Sequence, residues 1–191
     1  MVVGAGLSGA VAARELAEQG NTVLVVETKN HIGGHCNDYI NDWGIFIHRY
    51  GPHIFHTTSK IVWDYVNRFS PFSFYQHRVR SYVEGRFIPF PINLDTVNEV
   101  FRTHLNVTEV TDFLRKEVYK ADFNNPPENF RDAVVSQVGE RLYSLFFENY
   151  TRKQWNRDPS ELAPDLAKRI PIRTGRDDRY FSDQYQGIPS R

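Results

Sequence analysis

The 191 residues carry 23 Lys and Arg against 23 Asp and Glu, so no basic excess marks the chain as a dedicated nucleic-acid binder. Hydrophobic residues at 40% and aromatics at 14% are enough for the core of one large domain or two small ones. The single cysteine, Cys36, excludes an intrachain disulfide and fits a reducing compartment, and its expected role is packing. No apolar run reaches the roughly 18 residues of a membrane span, and the cytoplasm is the expected location.

The first predicted element is Val2 to Gly9, the end of a strand, a glycine turn and the start of a helix. Its spacing is G-x-G-x-x-G: Gly4 permits the tight turn, Gly6 lets backbone approach a pyrophosphate, and Gly9 lets helix and strand pack closely. Free N–H groups and the helix dipole then face the phosphates. Ala10 to Gln19 reads as helix, with Val11, Leu16 and Ala17 on one apolar face and Gly20 as its stop. Thr22 to Val26 is a continuous β-branched run, as expected of a buried parallel strand. Glu27 ends it about 20 residues beyond the glycines, where an acid binds ribose hydroxyls. These elements predict an α/β chain with a Rossmann-like βαβ unit. Only Met1 to Val3 precede Gly4, so the first strand is expected to be clipped.

A second glycine pair, Gly33-Gly34, follows in Asn30-His31-Ile32-Gly33-Gly34. Asp38 to Ile47 reads as a short β excursion around Gly44. His48, His53 and His56 have the spacing H-x4-H-x2-H, which suits no common zinc site and has no cysteine or acid within it. The functional reading is a rigid Gly51-Pro52 turn that aims His53 at a ligand; the alternative is a set of satisfied polar groups at a domain edge. Ser59 to Phe69 reads as a helix capped by Ser59. Phe72 to Phe90 turns to β, with Glu84-Gly85 as a hairpin turn and Pro89 and Pro91 closing the second run. From Asn93 to Ala167 the chain is mainly helical. Helices are expected over Thr96 to Thr103 and over Thr108 to Tyr119, the latter capped by Thr108. A loop is expected over Asn124 to Glu128, and two helical segments flank Gly139.

Tyr150 and Trp155 offer flat surfaces for a base or sugar. Lys168-Arg169 lies between prolines, which predicts a loop able to bring a cation to a phosphate; the residue types alone fit a solvated basic loop equally well. The chain ends on the aromatic-rich stretch from Tyr180 to Pro189.

The second glycine pair resembles the extended FAD fingerprint of amine-oxidase-like flavoproteins. Several stretches together resemble the UDP-galactopyranose mutase family along essentially the whole chain. They are the fingerprint, Tyr50-Gly51-Pro52-His53-Ile54-Phe55-His56, Tyr150-Thr151-Arg152-Lys153-Gln154-Trp155, Lys168-Arg169-Ile170-Pro171-Ile172-Arg173 and Tyr180-Phe181-Ser182-Asp183. The resemblance implies a Rossmann-like FAD-binding βαβ domain with an inserted, mainly helical substrate subdomain, truncated at the C-terminus. The expected segments are 1–75 for FAD, 76–92 for a linking hairpin, 93–167 for the substrate subdomain, and 168–191 for a mobile loop and return.

The implied reaction interconverts UDP-galactopyranose and UDP-galactofuranose with reduced FAD, through a flavin N5–sugar adduct, for galactofuranose-containing cell wall glycans. By matching motifs, Gly4, Gly6, Ser8, Gly9, Glu27, Thr28, Gly34 and His35 would line FAD. His53 and Ile54 would sit near the isoalloxazine, with His53 also in the catalytic set. Tyr150 would stack on uracil, Trp155 would lie near the sugar, and His77 would belong to the substrate strand. Arg169 would clamp the diphosphate as the second catalytic residue, and Tyr180 would contact the same region. Implied partners are both ring forms of UDP-galactose, an external reductant such as NAD(P)H and a second copy of the chain, with no metal, nucleic acid or membrane span. Members of the family are longer, so this chain is expected to bind FAD poorly and turn over little. Two alternatives stay open: an amine-oxidase-type flavin oxidoreductase, which accounts for Val2 to Gly34 alone, and a non-catalytic nucleotide-binding remnant.

Overall fold

The glycine turn lies between strand β1 (Val2–Val3) and helix α1 (Leu7–Glu18). The computed structural model describes residues 1–121 and 126–190. It divides into two compact units, Met1–Phe55 with Gly187–Pro189, and His56–Gln186 with Ser190.

In the first unit β1 pairs in parallel with β2 (Val25–Val26), Val2 opposite Val25 and Val3 opposite Val26. The Gly4 amide extends the ladder to the Val26 carbonyl at 2.7 Å. α1 starts three residues earlier than the apolar pattern predicts, with Gly6 as its N-cap, and stops before Gly20, whose φ is +85°. One expectation is overturned. The predicted buried strand is only two residues long, and Leu24, Val25 and Val26 are 61%, 40% and 37% exposed. A buried parallel strand needs cover on both faces, and α1 itself has no buried residue. The β excursion is an antiparallel hairpin, β3 (Asp38–Ile40) with β4 (Phe46–His48). Asn41 Oδ1 closes its turn by accepting the amides of Trp43 and Ile45.

Strands β5 (Phe55–Thr57) and β9 (Tyr185–Pro189) run across the division. The second unit contains α2 (Lys60–Asn67), capped by Ser59 as its sequence predicts, and β6 (Phe72–Phe74). The antiparallel hairpin of β7 (Val79–Val83) and β8 (Arg86–Phe90) turns on Glu84 and Gly85, both at positive φ, as a tight two-residue connection requires. Its inner face buries Val83, Ile88 and Phe90, and its outer face shows Tyr82 and Phe87. Pro89 sits within β8 rather than closing it; a two-stranded ribbon has edge positions that tolerate proline.

Helices fill the rest: α3 (Leu94–Phe101), α4 (Val107–Lys120), α5 (Phe130–Val138), α6 (Glu140–Tyr143) and α7 (Asn149–Trp155). A π turn, Ser144–Glu148, joins α6 to α7. The caps correct the sequence reading. Asn93 caps α3, and Asn106 rather than Thr108 caps α4, each within a capping box. Asn106 Oδ1 accepts from Thr108 and Glu109 amides, while Glu109 accepts the Asn106 amide in return. Of the loop expected over Asn124 to Glu128, residues 124 and 125 lie outside the described residues. The predicted loop around Lys168-Arg169 is instead a 3₁₀ helix, Pro164–Arg169, begun by a proline whose fixed φ favours that start.

The core lies in the second unit. Ile88, Ile92, Val97, Val110, Val138 and Leu142 are wholly or almost wholly buried there. Burying each such side chain contributes about 1.5–3 kcal/mol. No helix among the described residues is long and apolar enough to cross a membrane. Gly139 sets the closest approach in this core: its φ is +81°, and a Cβ there would lie 2.9 Å from Glu117 Cβ and 3.0 Å from Glu117 backbone. Gly139→Ala should therefore destabilise the second unit by about 2–4 kcal/mol. The midpoint of urea unfolding measures this, and an unchanged midpoint would contradict the packing described.

Candidate nucleotide-binding site

The first glycine turn and the second glycine pair face one another. A Cβ on Gly9 would stand 1.9 Å from the Gly4 carbonyl oxygen, and one on Gly34 would stand 3.1 Å from Gly6 Cα. Only glycine fits at position 9, and at position 34, where φ is +55°, a side chain would need the Gly6 backbone to give way. The Gly33 amide donates to Ala5 O at 2.8 Å and ties the two loops together. Between them opens a cleft of about 460 Å³, whose walls include Gly4, Gly6, Ser8, Gly9, Gly34 and His35. Glu27, Lys29 and Cys36 also line it. The first turn of α1 has no side-chain cap and no acid, so its N–H groups and the positive dipole end are left for an anion.

Glu27 is held as a carboxylate. Oε2 accepts the Ala5 amide at 2.7 Å, and Oε1 accepts the Lys29 amide at 3.0 Å and the Thr28 hydroxyl at 3.2 Å. The Ala5 bond, then the Lys29 bond, pull its pKa down to about 2. Two carboxylate oxygens carry about four acceptor sites, so three protein donors leave one for a ribose hydroxyl. Thr28 belongs to this group through Glu27 and does not line the cleft.

Of the remaining predicted residues of this unit, His53 donates its amide to His48 Nδ1 at 3.0 Å, and its own Nδ1 lies 2.8 Å from Gly51 O. Its ring centroid is 6.3 Å from that of His35. Ile54, next to it, is partly buried. The three histidines of the H-x4-H-x2-H spacing part company here. His56 belongs to the second unit, where Nδ1 lies 3.0 Å from Asp183 Oδ2 and the ring stacks on Phe181 at 3.7 Å.

In the second unit Tyr180 is the centre of the predicted substrate residues. Its amide donates to His77 O at 2.7 Å, and its ring meets the His77 ring edge-on at 5.8 Å. Burial pushes the Tyr180 phenol up; Tyr150 adds to this and Arg169 opposes it, so both lie within electrostatic reach of a neutral phenol. Arg169 is exposed at the end of its 3₁₀ helix and has no ion-pair partner among the described residues, whereas Lys168 is bound to Asp165. Tyr150 and Trp155 are both on α7 and both exposed. Five residues turn a helix through about 140°, so α7 does not present the two rings on one face.

Sequence reasoning missed the residues that hold this cluster. Arg152 donates to Asp158 at 2.9 Å and anchors the end of α7. The hydroxyl and amide of Ser160, then Arg152, hold the Asp158 carboxyl well below the usual range. Gln186, buried, donates to the carbonyls of Phe181 and Asp183. The Asp158-Pro159-Ser160 sequence is a helix-cap signal that could have been read; nothing in the sequence announces Gln186.

Residues 2–69 match the model of the NAD(P)-binding Rossmann-like domain, and residues 145–191 match that of UDP-galactopyranose mutase. Over 99% of the chain it is 41% identical to a Klebsiella pneumoniae protein described as "Probable UDP-galactopyranose mutase". Over its whole length the chain is thus similar to about half of a UDP-galactopyranose mutase, and its residues 145–191 match that family's model. Over the same share it is 39% identical to the Escherichia coli dTDP-fucopyranose mutase. It spans about half the length of these relatives, 49% and 50%. A crystal structure of reduced UDP-galactopyranose mutase shares the fold, with a TM-score of 0.69 at 21% identity over 90% of this chain and 36% of that one. The α/β, Rossmann-like fold class read from the glycines is thus the observed one.

The lowered pKa of Glu27 has a definite sign. Its contribution to the first unit is fully present above the ordinary value of 4.5 and is lost as pH falls from there through about 2. The Ala5 amide resonance should therefore titrate with a midpoint near 2, and Glu27→Gln should remove that titration. A midpoint near 4.5 would show that the carboxylate does not hold this amide.

Proposed function

We propose that the chain forms part of a flavin-dependent nucleotide-sugar mutase whose substrate is UDP-galactose in its pyranose and furanose forms. The supporting observation is a dinucleotide cleft on the same chain as a mutase-family match over 145–191, the stretch that holds Tyr150, Trp155, Arg169 and Tyr180. The cleft fits FAD: a Cβ is excluded at Gly9 and crowded at Gly34, leaving backbone to meet a pyrophosphate. In this reading the two glycine loops with Ser8, Glu27 and His35 hold the dinucleotide, Thr28 acts through its bond to Glu27, and His53 and Ile54 lie beside the isoalloxazine. Reduced FAD, when bound, supplies a nucleophilic nitrogen for a sugar's anomeric carbon.

The chain's own residues bind and orient the nucleotide sugar. Arg169 has no protein partner among the described residues and offers a planar fork of donors to a diphosphate, neutralising charge on departing UDP. Tyr150 presents an exposed ring for uracil, and Trp155 one for the sugar. The neutral Tyr180 phenol donates a hydrogen bond to a phosphate oxygen, and His77 backs it. The assignment of 1–75 to FAD, 76–92 to a link, 93–167 to substrate and 168–191 to the closing segment goes with this reading. So do a cytoplasmic setting, an NAD(P)H-type reductant, a homo-oligomer and supply of galactofuranose for cell wall glycans. The 39% identity to a dTDP-fucopyranose mutase supports a second reading with dTDP-fucose as substrate.

Titration of the chain with UDP and with dTDP separates the two. UDP should bind more tightly, and Arg169→Ala should weaken it about tenfold or more. Reduced, FAD-loaded protein given UDP-galactofuranose should release UDP-galactopyranose with no net flavin oxidation. Preference for dTDP would shift the substrate to the fucose nucleotide, and flavin reduction driven by substrate would favour an oxidoreductase.

A further inference from the structure

Lys29, His31 and Tyr50 form a group in the first unit to which the mutase reading gives no role. Lys29 Nζ lies 3.3 Å from the Tyr50 hydroxyl and 4.5 Å from the ring centroid. His31 Nε2 lies 2.8 Å from the same hydroxyl, and His31 Nδ1 lies 3.2 Å from the Ile32 carbonyl oxygen. The proton positions follow from these partners. A carbonyl only accepts, so Nδ1 is the donor, and in the Nδ1–H tautomer Nε2 is an acceptor. Tyr50 therefore donates to His31, and its oxygen accepts from the Lys29 ammonium, which has donors only. The hydrogen bonds run one way, from Lys29 through Tyr50 and His31 to Ile32.

That direction matters because of where the series ends. The Ile32 carbonyl leads into Gly33-Gly34 and also accepts from Asn37 Nδ2 at 3.0 Å. The next amide, Gly33, is the one bonded to Ala5 in the first glycine turn. The Tyr50 ring also meets the His35 ring edge-on at 5.4 Å. Lys29 and His35 line the cleft, and Tyr50 and His31 do not.

We propose that Tyr50 is a positioning residue of the nucleotide cleft, which relays the charge of Lys29 through a Nδ1–H His31 to the backbone before Gly33-Gly34. By doing so it sets that loop and His35 against the first glycine turn without touching the ligand. Bonds in such a series polarise one another. The proposal rests on the nucleotide-binding reading of the cleft.

Tyr50→Phe keeps the ring and removes the relay. The test reads the His31 ring nitrogens by ¹⁵N NMR in the flavin-free chain, and FAD and ADP affinities by titration. In Tyr50→Phe, His31 Nε2 should lose the resonance position of a hydrogen-bonded acceptor while Nδ1 keeps its proton, and affinity should fall about three- to tenfold with little change in thermal midpoint. Lys29→Met should weaken the nucleotide while His31 keeps its form. The proposal is overturned if the His31 Nε2 resonance is the same in Tyr50→Phe, or if both affinities stay within twofold. A chain that binds ADP but not FAD sinks the flavin reading and leaves the Tyr50 comparison to be decided with ADP. One that binds neither overturns both.

Discussion

The first turn of α1 can approach the Gly4 carbonyl only because Gly9 has no side chain, and the nucleotide cleft depends on that approach. A Cβ at 1.9 Å would drive the helix off β1. The N-terminal amides of α1 would then move away from the place where Glu27 and the second glycine pair converge. The Glu27 carboxylate reinforces the geometry from the other side by accepting the Ala5 amide within the same turn. Close backbone approach and a thrice-bonded carboxylate thus replace a hydrophobic core in this part of the chain, where no residue of Met1–Phe55 is fully buried.

The second unit is organised by the opposite means. Aliphatic side chains of the β7–β8 hairpin, α3, α4, α5 and α6 make a continuous core, and Phe90 brings aromatic contact with Phe146, Phe147 and Tyr180. The predicted substrate residues are attached to this rigid body, and their polar groups are wired individually. Arg152 is bound to Asp158, Gln186 spans the 180–183 turn, and Arg173 donates to the carbonyls of Asp177 and Arg179. Arg169 stands apart from that wiring, with no ion-pair partner among the described residues, which is the state the proposed phosphate contact requires.

How far the sequence revealed all this depended on the range of each interaction. The glycine turn, the Ser59 cap and the Glu84-Gly85 hairpin are decided by residues a few positions apart, and all were legible. Thr108 was mistaken for a cap because Asn106 and Glu109 form a better box just beside it, a local competition that propensity alone ranks poorly. The exposure of Val25 and Val26 was not legible, since a β-branched run records what a strand suits and not what covers it. Tyr180 meets His77 across a long stretch of chain and feels the charges of Tyr150 and Arg169; the family resemblance pointed to those positions, while periodicity said nothing of that proximity. The Lys29–Tyr50–His31 series escaped notice because each residue looks like ordinary surface until its partners are known.

The π turn at Ser144–Glu148 has a consequence for how α7 is aimed. A π turn holds one residue more than the α-helical turn it replaces, so the chain enters α7 with its angular phase advanced by about 100°. Deleting one residue between Ser144 and Glu148 would restore α-helical winding and rotate everything beyond it by that amount. Tyr150 and Trp155 are themselves about 140° apart, so one ring would come within about 40° of the other's former place and the other would turn to a new side of the helix. The orientation of the two rings is therefore stored as a count of residues upstream of them, not in the rings or in the helix that carries them.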